Sequence, residues 1–376
     1  MIYFDNAATT GTKPQQVISA VEHTLKRLSA NPGRSGHTLS QEAAMAVYRV
    51  REKTADFFGA TGAEKVIFTA NCTQAINTVI KGLLKSGDRV VTSDLEHNAV
   101  MRPLRKVGAK IHTARVSLGD PEATLDAFDR LITEDTRLCI CTGASNVTGT
   151  LLPINRIGKI CRARGVPFAV DAAQTAGVFP INMTDMCIDY LCIAPHKGLY
   201  APMGTGILIA EGPLYSTLIE GGTGTDSASP TQPLTYPEGF ESGTVNLAGI
   251  VGIGAGIDFV CKRGIYRIQS HESRLTLTLF KGLSRLDNII LYTPSPTEAP
   301  CAPVLSFNVK GIPSGEAATI LDKKGFALRS GLHCAPTAHS RLGTLDTGTI
   351  RFCPSVYSTE GEVAFLLNVL KNLKKL

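Results

Sequence analysis

The segment from Tyr190 to Ala210, YLCIAPHKGLYAPMGTGILIA, places a loop rich in proline and glycine between two short apolar runs. The flanking runs, YLCIA and GTGILIA, have the aliphatic character that is typical of buried strands. His196 and Lys197 follow the first run directly. A polar loop that follows a buried strand is where an α/β protein places its ligand site.

The same alternation extends from residue 60 to residue 210. Apolar runs such as KVIFTA, RVVTSD, RLCICT and PFAVD alternate with longer amphipathic segments such as TQAINTVIKGLLKSG, HNAVMRPLRKVG and LPINRIGKICRARG. Continuous apolar strands that alternate with helices predict an α/β fold, in which helices cover both faces of a mostly parallel central sheet. Ligands bind at the carboxyl ends of such strands, so the loops there are the candidate site.

The pattern changes after about residue 250. A glycine-rich helix and a charged helix precede a proline-rich linker around YTPSPTEAPCAP, the strand VLSFNV and a last amphipathic helix, TEGEVAFLLNVLKNLKKL. This part predicts a smaller α+β C-terminal domain, which the N-terminal segment joins. The chain of 376 residues is long enough for two domains. We therefore predict a large domain of residues 15–248 and a small domain of residues 1–14 and 249–376.

Composition argues against several classes of protein. The net charge of +6 is scattered, which does not favour nucleic-acid binding. The N-terminus lacks a secretory signal, and the most apolar stretch, LAGIVGIGAGIDFV, is too short and polar for a membrane span, so we expect a cytoplasmic protein. The ten cysteines lack paired spacing, and no metal-ligand spacing occurs, so we predict neither a disulfide scaffold nor a metal site. The GxGxxG and GxxxxGK[ST] motifs are also absent from the sequence, so neither a dinucleotide-binding enzyme nor a P-loop ATPase is supported.

Three further strand-end loops carry polar residues. TANCTQAIN places Thr73 at a helix N-terminus, where backbone amides favour a phosphate, although the motif taken alone favours a plain threonine N-cap. PFAVDAAQTAG ends a strand in Asp171, with Gln174 three residues later; a helix cap is the alternative. SDLEHNAV supplies His97.

These loops match the requirements of one cofactor, pyridoxal 5′-phosphate. Lys197 would form its Schiff base, Asp171 would keep its pyridine nitrogen protonated, and the helix end would bind its phosphate. An imidazole above the ring is also expected, and His97 supplies one. A lone loop lysine is usually solvated, so the prediction for Lys197 depends on the other three residues.

The chain resembles the class V aminotransferase family of fold-type I pyridoxal-phosphate enzymes, and within it the cysteine desulfurases and selenocysteine lyases, closest to the SUF-type group. The resemblance runs essentially end to end. The motifs that carry it are YFDNAATT, RSGHTLS, NCTQAIN, EHNAV, SNVTG, VDAAQ, HKGLYAPMGTG, ESGTVN, RSGLHCA and IRF.

The resemblance implies a role for each matched residue. It places Lys197 on the cofactor as a Schiff base, Asp171 on the pyridine nitrogen and His97 on the ring face. The further cofactor-binding residues that it implies are Cys72, Thr73, Asn146, Gln174, His196 and Thr244. Thr244 reaches the phosphate of a neighbouring subunit, which implies a homodimer. Arg351 binds the substrate carboxylate, and the other implied substrate-binding residues are Arg329, Asn146, Arg34 and Ala8. The strand-like flanks of Cys72 and Cys353 also suit core cysteines.

Three residues depart from the pattern of the family. Ala194 replaces the usual serine before the His–Lys pair, which removes one phosphate hydrogen bond. Leu332 replaces a histidine in the common GHHC, and Gly33 stands where SUF-type relatives often carry another histidine. These changes leave the cofactor assignment intact and concern cofactor affinity and the identity of the sulfur acceptor.

Cys334, in LRSGLHCAPTAHSR, has the placement of the SUF-type nucleophile. Desulfuration needs an exposed, ionisable thiol that attacks the sulfur of the substrate. We predict that Arg329, His333 and Arg341 favour the Cys334 thiolate. An inert loop thiol is the alternative.

The predicted function is that of a cysteine desulfurase, which converts L-cysteine to L-alanine and forms a persulfide on Cys334. A SufE-like protein is a possible sulfur acceptor. Selenocysteine lyase, with L-selenocysteine as substrate, is the nearest alternative. An aminotransferase or β-lyase of the same fold and a cofactor-less sulfur-transfer scaffold are the others.

Overall fold

The computed structural model describes residues 1–373. Its helices are α1 (Gln15–Arg27), α2 (Thr38–Phe58), α3 (Cys72–Leu83), α4 (Asn98–Val107), α5 (Pro121–Leu131), α6 (Ile154–Ala163), α7 (Leu247–Arg263), α8 (Ile265–Leu283), α9 (Ser314–Lys323), α10 (Pro336–Leu342) and α11 (Glu360–Lys371). Its strands are β1 (Ile2–Tyr3), β2 (Val66–Thr69), β3 (Arg89–Ser93), β4 (Lys110–Ala114), β5 (Thr136–Thr142), β6 (Phe168–Asp171), β7 (Tyr190–Ile193), β8 (Gly206–Ala210), β9 (Ile289–Leu291), β10 (Leu305–Val309), β11 (Phe326–Ala327), β12 (Arg329–Gly331) and β13 (Thr349–Phe352). The last three residues of the predicted C-terminal helix lie outside the described residues.

The central sheet has seven strands in the order β2-β8-β7-β6-β5-β3-β4. The pairs from β4 to β7 are parallel, whereas β8 is antiparallel to both β7 and β2. Because β8 is antiparallel to both of its neighbours, β2 and β7 run in the same direction. The predicted mostly parallel sheet is therefore confirmed, and the carboxyl ends of β2, β3, β5, β6 and β7 lie at one edge.

Helices cover both faces of this sheet, as predicted. Alternate residues of one strand point to opposite faces, so Phe168 and Val170 belong to one apolar cluster and Ala169 to another. The first cluster also contains apolar residues of α2 and α7, and the second contains those of α3 and α4. Burial on both sides explains why the strands are continuously apolar in sequence.

A second sheet lies in the C-terminal part of the chain. It is antiparallel, in the order β12-β13-β10-β9, and its core includes Phe307, Phe352 and residues of α8, α9 and α11. The N-terminal strand β1 pairs in parallel with β11, and Phe4 stacks on Phe326. Helix α7, by contrast, packs on α1 and α2. The division of the chain into two domains stays a prediction.

No helix within residues 1–373 combines the length and the apolar character needed to cross a membrane.

Candidate active site

The loops at the carboxyl ends of five strands surround one pocket. Its lining contains eight of the nine predicted cofactor-binding residues together with the family departure Ala194: Cys72, Thr73, His97, Asn146, Asp171, Gln174, Ala194, His196 and Lys197. These residues come from separate segments of the chain. The segments meet because the strands that precede them run in the same direction. The ninth residue, Thr244, lies elsewhere.

Asp171 ends β6 and is 4% exposed. Its Oδ1 accepts a hydrogen bond from the backbone N–H of Ala173 (3.0 Å) and lies 3.7 Å from the Cys72 Sγ. Residues 173–175 form a turn, so Asp171 does not cap a helix. A buried carboxylate with so few donors can bind a further cationic or N–H partner in the pocket.

Lys197 lies in the turn that follows β7, the strand that pairs with β6. Burial lowers the pKa of its amine below the usual 10.5, the Arg351 cation lowers it further, and Asp171 opposes the shift. Lowering the pKa favours the neutral amine, which is the nucleophilic form. Lys197 also borders a smaller cavity that Glu272 and Cys353 line.

His97 is the N-cap of α4. Its Nδ1 accepts the backbone N–H of Ala99 at 3.0 Å, so a neutral imidazole carries its proton on Nε2. Burial, the largest cause, lowers the pKa of His97, although Asp171 opposes this shift. The ring is therefore held in one orientation and one tautomer.

The N-terminus of α3 forms the electropositive end of the pocket. Asn71, which the sequence analysis did not assign, caps the helix by accepting the N–H of Gln74 at 2.9 Å. Thr73 is exposed and does not cap the helix, so the capping alternative for it is wrong. The amides of Cys72 and Thr73 are the first two of the helix and have no acceptor within it. Such a helix end favours an anion.

His196 stands beside this helix end. Its Nδ1 is buried and has no hydrogen-bond partner among residues 1–373. Burial, followed by the Lys197 and Lys13 cations, lowers the pKa of His196 to about 4. His196 lines the pocket, so a neutral imidazole with a buried, unpartnered nitrogen is available there for a ligand. Ala194 is 4% exposed and presents a methyl group here, as the sequence indicated.

Arg351 is almost completely buried, at 1% exposure. Its Nη2 contacts the Asp5 Oδ1 at 2.7 Å, and its Nη1 donates to the Asn146 carbonyl at 3.2 Å. Its Nε has no partner among residues 1–373. Arg351 thus retains a donor for a carboxylate. The ion pair with Asp5 was not predicted from the sequence, although Asp5 lies within the quoted motif YFDNAATT.

Cys334 is exposed and follows β12 on a strained turn. His333 and Cys334 both adopt left-handed backbone conformations, with φ of +48° and +59°. Two hydrogen bonds hold this turn, since Asn146 Nδ2 donates to the His333 carbonyl and the Asn98 N–H donates to the Cys334 carbonyl, both at 2.7 Å. The thiol is exposed, but its backbone is fixed at the pocket rim.

The predicted cationic surroundings of Cys334 are only partly present. Arg329 Nη2 lies 3.7 Å from the Cys334 Sγ. His333, however, is buried and bonded to Thr349, and burial lowers its pKa to about 2, so it is neutral. Arg341 pairs instead with Asp94 at 3.2 Å. The expectation that all three residues favour the thiolate is therefore wrong for His333 and Arg341.

Two predicted residues, Thr244 and Arg34, line surface clefts instead of this pocket. Thr244 is exposed in a cleft that also contains Thr69 and Gln74. Arg34 is exposed and donates to the carbonyls of Gly222 and Gly243, both at 2.8 Å. Arg34 and Thr244 are therefore neighbours on the surface, and within one chain neither lines the Lys197 pocket. Gly33 borders the same surface cleft as Arg34.

The N-terminal segment closes the base of the pocket. The Ala7 carbonyl accepts from Gln174 Nε2 at 3.0 Å. The His196 carbonyl accepts from the hydroxyls of Thr9 and Thr10 and from Lys13 Nζ. Ala8 lies in the same turn, with its N–H on the Asp5 carbonyl. The segment thus contacts Gln174 and His196 of the site, and local sequence patterns did not indicate these contacts.

Two glycines allow the Lys197 loop to lie close to its neighbours. A Cβ on Gly177, whose φ is +83°, would overlap the Gly198 carbonyl oxygen. A Cβ on Gly256, in the middle of α7, would overlap the Leu199 carbonyl oxygen. The residues after Lys197 are therefore packed backbone against backbone.

Comparison with known proteins agrees with this geometry. The model of the family described as aminotransferase class-V matches residues 2–366. The chain is 34% identical over 386 residues to a probable cysteine desulfurase of Methanothermobacter thermautotrophicus, covering 99% of this chain and 94% of the relative. It is 33% identical over 393 residues to a cysteine desulfurase of Yersinia pestis, covering 100% of this chain and 94% of the relative.

Solved structures give the same result. The apo structure of a cysteine desulfurase from Thermococcus onnurineus superposes with a TM-score of 0.90 at 32% identity, covering 99% of this chain and 94% of the other. The cysteine desulfurase CsdA from Escherichia coli superposes with a TM-score of 0.86 at 27% identity, covering 98% and 94%.

Proposed function

The chain belongs to the class V aminotransferase family, and we propose the residue roles by which it acts as a cysteine desulfurase. Its full-length relatives carry that name in both archaea and bacteria. The function predicted from the sequence, and the fold-type I architecture, agree with these comparisons. The substrate is accordingly L-cysteine, and the reaction releases L-alanine.

Pyridoxal 5′-phosphate fits the residues that line the Lys197 pocket. The free amides of α3, the exposed hydroxyl of Thr73 and the unpartnered Nδ1 of His196 would hold the phosphate. Asp171 would accept the pyridine N–H, and Lys197 would hold the carbonyl carbon covalently. When bound, this group supplies the electron sink that makes the substrate α-proton acidic.

The protein side chains fix the substrate around that group. Arg351 donates to the substrate carboxylate from its free Nε edge. Lys197 Nζ, with its lowered pKa, takes the α-proton and returns a proton to the product carbon. His97, with Nδ1 occupied by Ala99, presents Nε2–H or its ring face to the pocket.

Cys334 performs the sulfur step. Its thiolate attacks the sulfur of L-cysteine, and a new S–S bond forms as the carbon–sulfur bond breaks. The electron pair of the broken bond stays on the carbon, which is protonated to give L-alanine, and the sulfur remains on Cys334 as a persulfide. The single observation that carries this proposal is an exposed thiol on a turn whose backbone Asn98 and Asn146 hold at the rim of the Lys197 pocket.

The test is to incubate the purified yellow protein with L-cysteine and to measure L-alanine and sulfide with and without a thiol reductant. We expect equal alanine and sulfide with the reductant. Without it, we expect one extra sulfur on the peptide that contains Cys334. Mercaptopyruvate in place of alanine would instead indicate a transaminase, and pyruvate released together with sulfide would indicate a β-lyase.

We infer a homodimer from Thr244 and Arg34, which line surface clefts instead of the Lys197 pocket. Thr244 and Arg34 are exposed and adjacent, so a second subunit could bring them to the phosphate and substrate of its neighbour. Substituting Thr244 with Ala should weaken cofactor retention without dissociating the subunits. A protein that sediments as a monomer with full cofactor content would contradict this proposal.

The persulfide needs an acceptor, and a SufE-like protein is our proposal. Cys334 and Leu332 are both exposed, so a thiol of another protein can reach the sulfur. Cytoplasmic location stays a prediction.

A further inference from the structure

The Asp5–Arg351 ion pair joins residues 346 positions apart, and it lies at the point where the proposed function needs a free guanidinium. Asp5 is held there by the fold, since it forms a parallel bridge with Cys353, two residues beyond Arg351. Asn6 Nδ2 adds a hydrogen bond to the Cys353 carbonyl at 2.9 Å. The carboxylate is therefore fixed at one end of the guanidinium.

The two partners differ in burial. Arg351 is 1% exposed, whereas the Asp5 side chain is 20% exposed. A buried guanidinium without a counterion is strongly unfavourable, because the desolvation of its charge is uncompensated. Arg329 is the Cα partner of Arg351 on the adjacent strand, so a second cation lies on the same face of the sheet. Asp5 offsets this concentration of positive charge.

The same carboxylate also reduces the attraction of Arg351 for any other anion. The pair of Arg351 and Asp5 has no net charge, and a bound carboxylate would lie near a like charge within a poorly hydrated pocket. We propose that Asp5 is the residue that sets the affinity of Arg351 for the substrate carboxylate: it orients the guanidinium and weakens carboxylate binding. This inference rests on the proposed function of Arg351.

Asp5→Asn separates the two effects. The amide oxygen of Asn can still accept from Arg351 Nη2, so the orientation is retained while the negative charge is removed. We expect the KM for L-cysteine to fall about tenfold with kcat little changed. A tenfold change is the size expected when a modest repulsion between Asp5 and the substrate carboxylate is removed. Loss of a merely structural contact would not tighten binding.

The experiment compares wild type, Asp5→Asn and a control, Asp129→Asn, as holoenzymes. Asp129 also pairs with an arginine, Arg164, at 2.6 Å, but on helices away from the pocket. Equilibrium binding of the product L-alanine is followed by calorimetry, alongside ethylamine, which has the amine but lacks the carboxylate. L-Alanine should bind Asp5→Asn about tenfold more tightly, ethylamine should bind all three proteins alike, and Asp129→Asn should match wild type.

Unchanged or weaker binding of L-alanine to folded Asp5→Asn would overturn the inference, as would an equal gain for ethylamine. If Asp5→Asn does not fold, the salt dependence of L-alanine binding to wild type replaces it. A neutral Arg351–Asp5 pair predicts a weak dependence, and a steep one contradicts the inference. Wild-type protein that neither binds L-alanine nor turns over L-cysteine would refute the proposed function itself, which is a separate outcome.

Discussion

The Lys197 loop follows a buried strand in the middle of the seven-stranded sheet, whereas the Cys334 loop follows β12, an edge strand of the smaller sheet. Lys197 and Asp171 are enclosed by protein, and Gly177 and Gly256 allow the surrounding backbone to pack closely. Cys334 is exposed, and hydrogen bonds to its own backbone carbonyl and to that of His333 hold its turn in place. The difference follows from the chemistry: a cofactor needs fixed charges, while a sulfur that must leave the enzyme needs an exposed carrier.

The Lys197 side of this comparison should fail completely when its amine is removed. Lys197→Ala should abolish L-alanine formation and the yellow colour that hydroxylamine bleaches, because no other lysine within residues 1–373 lines the pocket. Absorbance spectra and alanine release test this. Lys53→Ala, at an exposed ion pair with Asp258, serves as the control and should behave as wild type. Retained colour with normal turnover would show that the cofactor lies elsewhere.

The Cys334 side should fail more selectively. In Cys334→Ser the colour and the spectral response to L-cysteine should persist, because the Lys197 pocket is intact. Sulfide release should fall by about 10²-fold or more, since a serine hydroxyl stays protonated and cannot form a persulfide. Cys261→Ser, at another exposed cysteine, is the matched control. Desulfuration by Cys334→Ser at the wild-type rate would reduce Cys334 to an ordinary loop thiol.

The buried carboxylate allows a graded test. Asp171→Ala should lower turnover by about 10²-fold, and Asp171→Glu by less, because only a carboxylate keeps a pyridinium protonated. Both variants should retain Cys334 in its thiol form, measured by alkylation, which separates this defect from that of the cysteine loop. Equal turnover in the two variants would remove Asp171 from the site.

The smallest expected effect concerns Glu272, which is buried beneath Lys197 and bonded to the Tyr200 hydroxyl at 3.2 Å. Burial raises its pKa to about 8. Between about pH 4.3, where an unfolded glutamate titrates, and pH 8, the folded state holds the extra proton. Because the folded state then binds more protons than the unfolded state, the contribution of Glu272 to the free energy of unfolding falls as pH rises through that interval.

Glu272→Gln removes this titration. Relative to that of wild type, the free energy of unfolding of the variant should rise by about 1 kcal/mol or more between pH 6 and pH 8, measured by urea unfolding. The exposed Glu22→Gln should show no such trend. A wild type whose stability is flat with pH over this range would refute the burial of a protonated Glu272.

The sequence predicted the elements of the large sheet well because their signals are local. Continuous apolar runs such as those of β6 and β7 reflect burial on both faces, and the rule for parallel sheets then placed Asp171 and Lys197 at one edge. Eight of the residues that line the pocket in the structure were accordingly named in advance, whereas Asn71 was not.

Contacts between distant segments were not predictable in the same way. The Asp5–Arg351 pair depends on the packing of the N-terminal segment along β13, which no local pattern encodes. The surroundings of Cys334 were misjudged for another reason. Residues adjacent in sequence were expected to be adjacent in space, but the left-handed turn buries His333 while it exposes Cys334.

The backbone contacts around the Lys197 loop also bear on how this chain can change over evolutionary time. Gly177 and Gly256 touch no reactant, yet each excludes every side chain because a carbonyl oxygen occupies the space of its Cβ. A saturation-mutagenesis map of the chain should therefore show both positions as intolerant as Lys197. Intolerance there would reflect steric exclusion alone, so such a map by itself would overcount the catalytic positions.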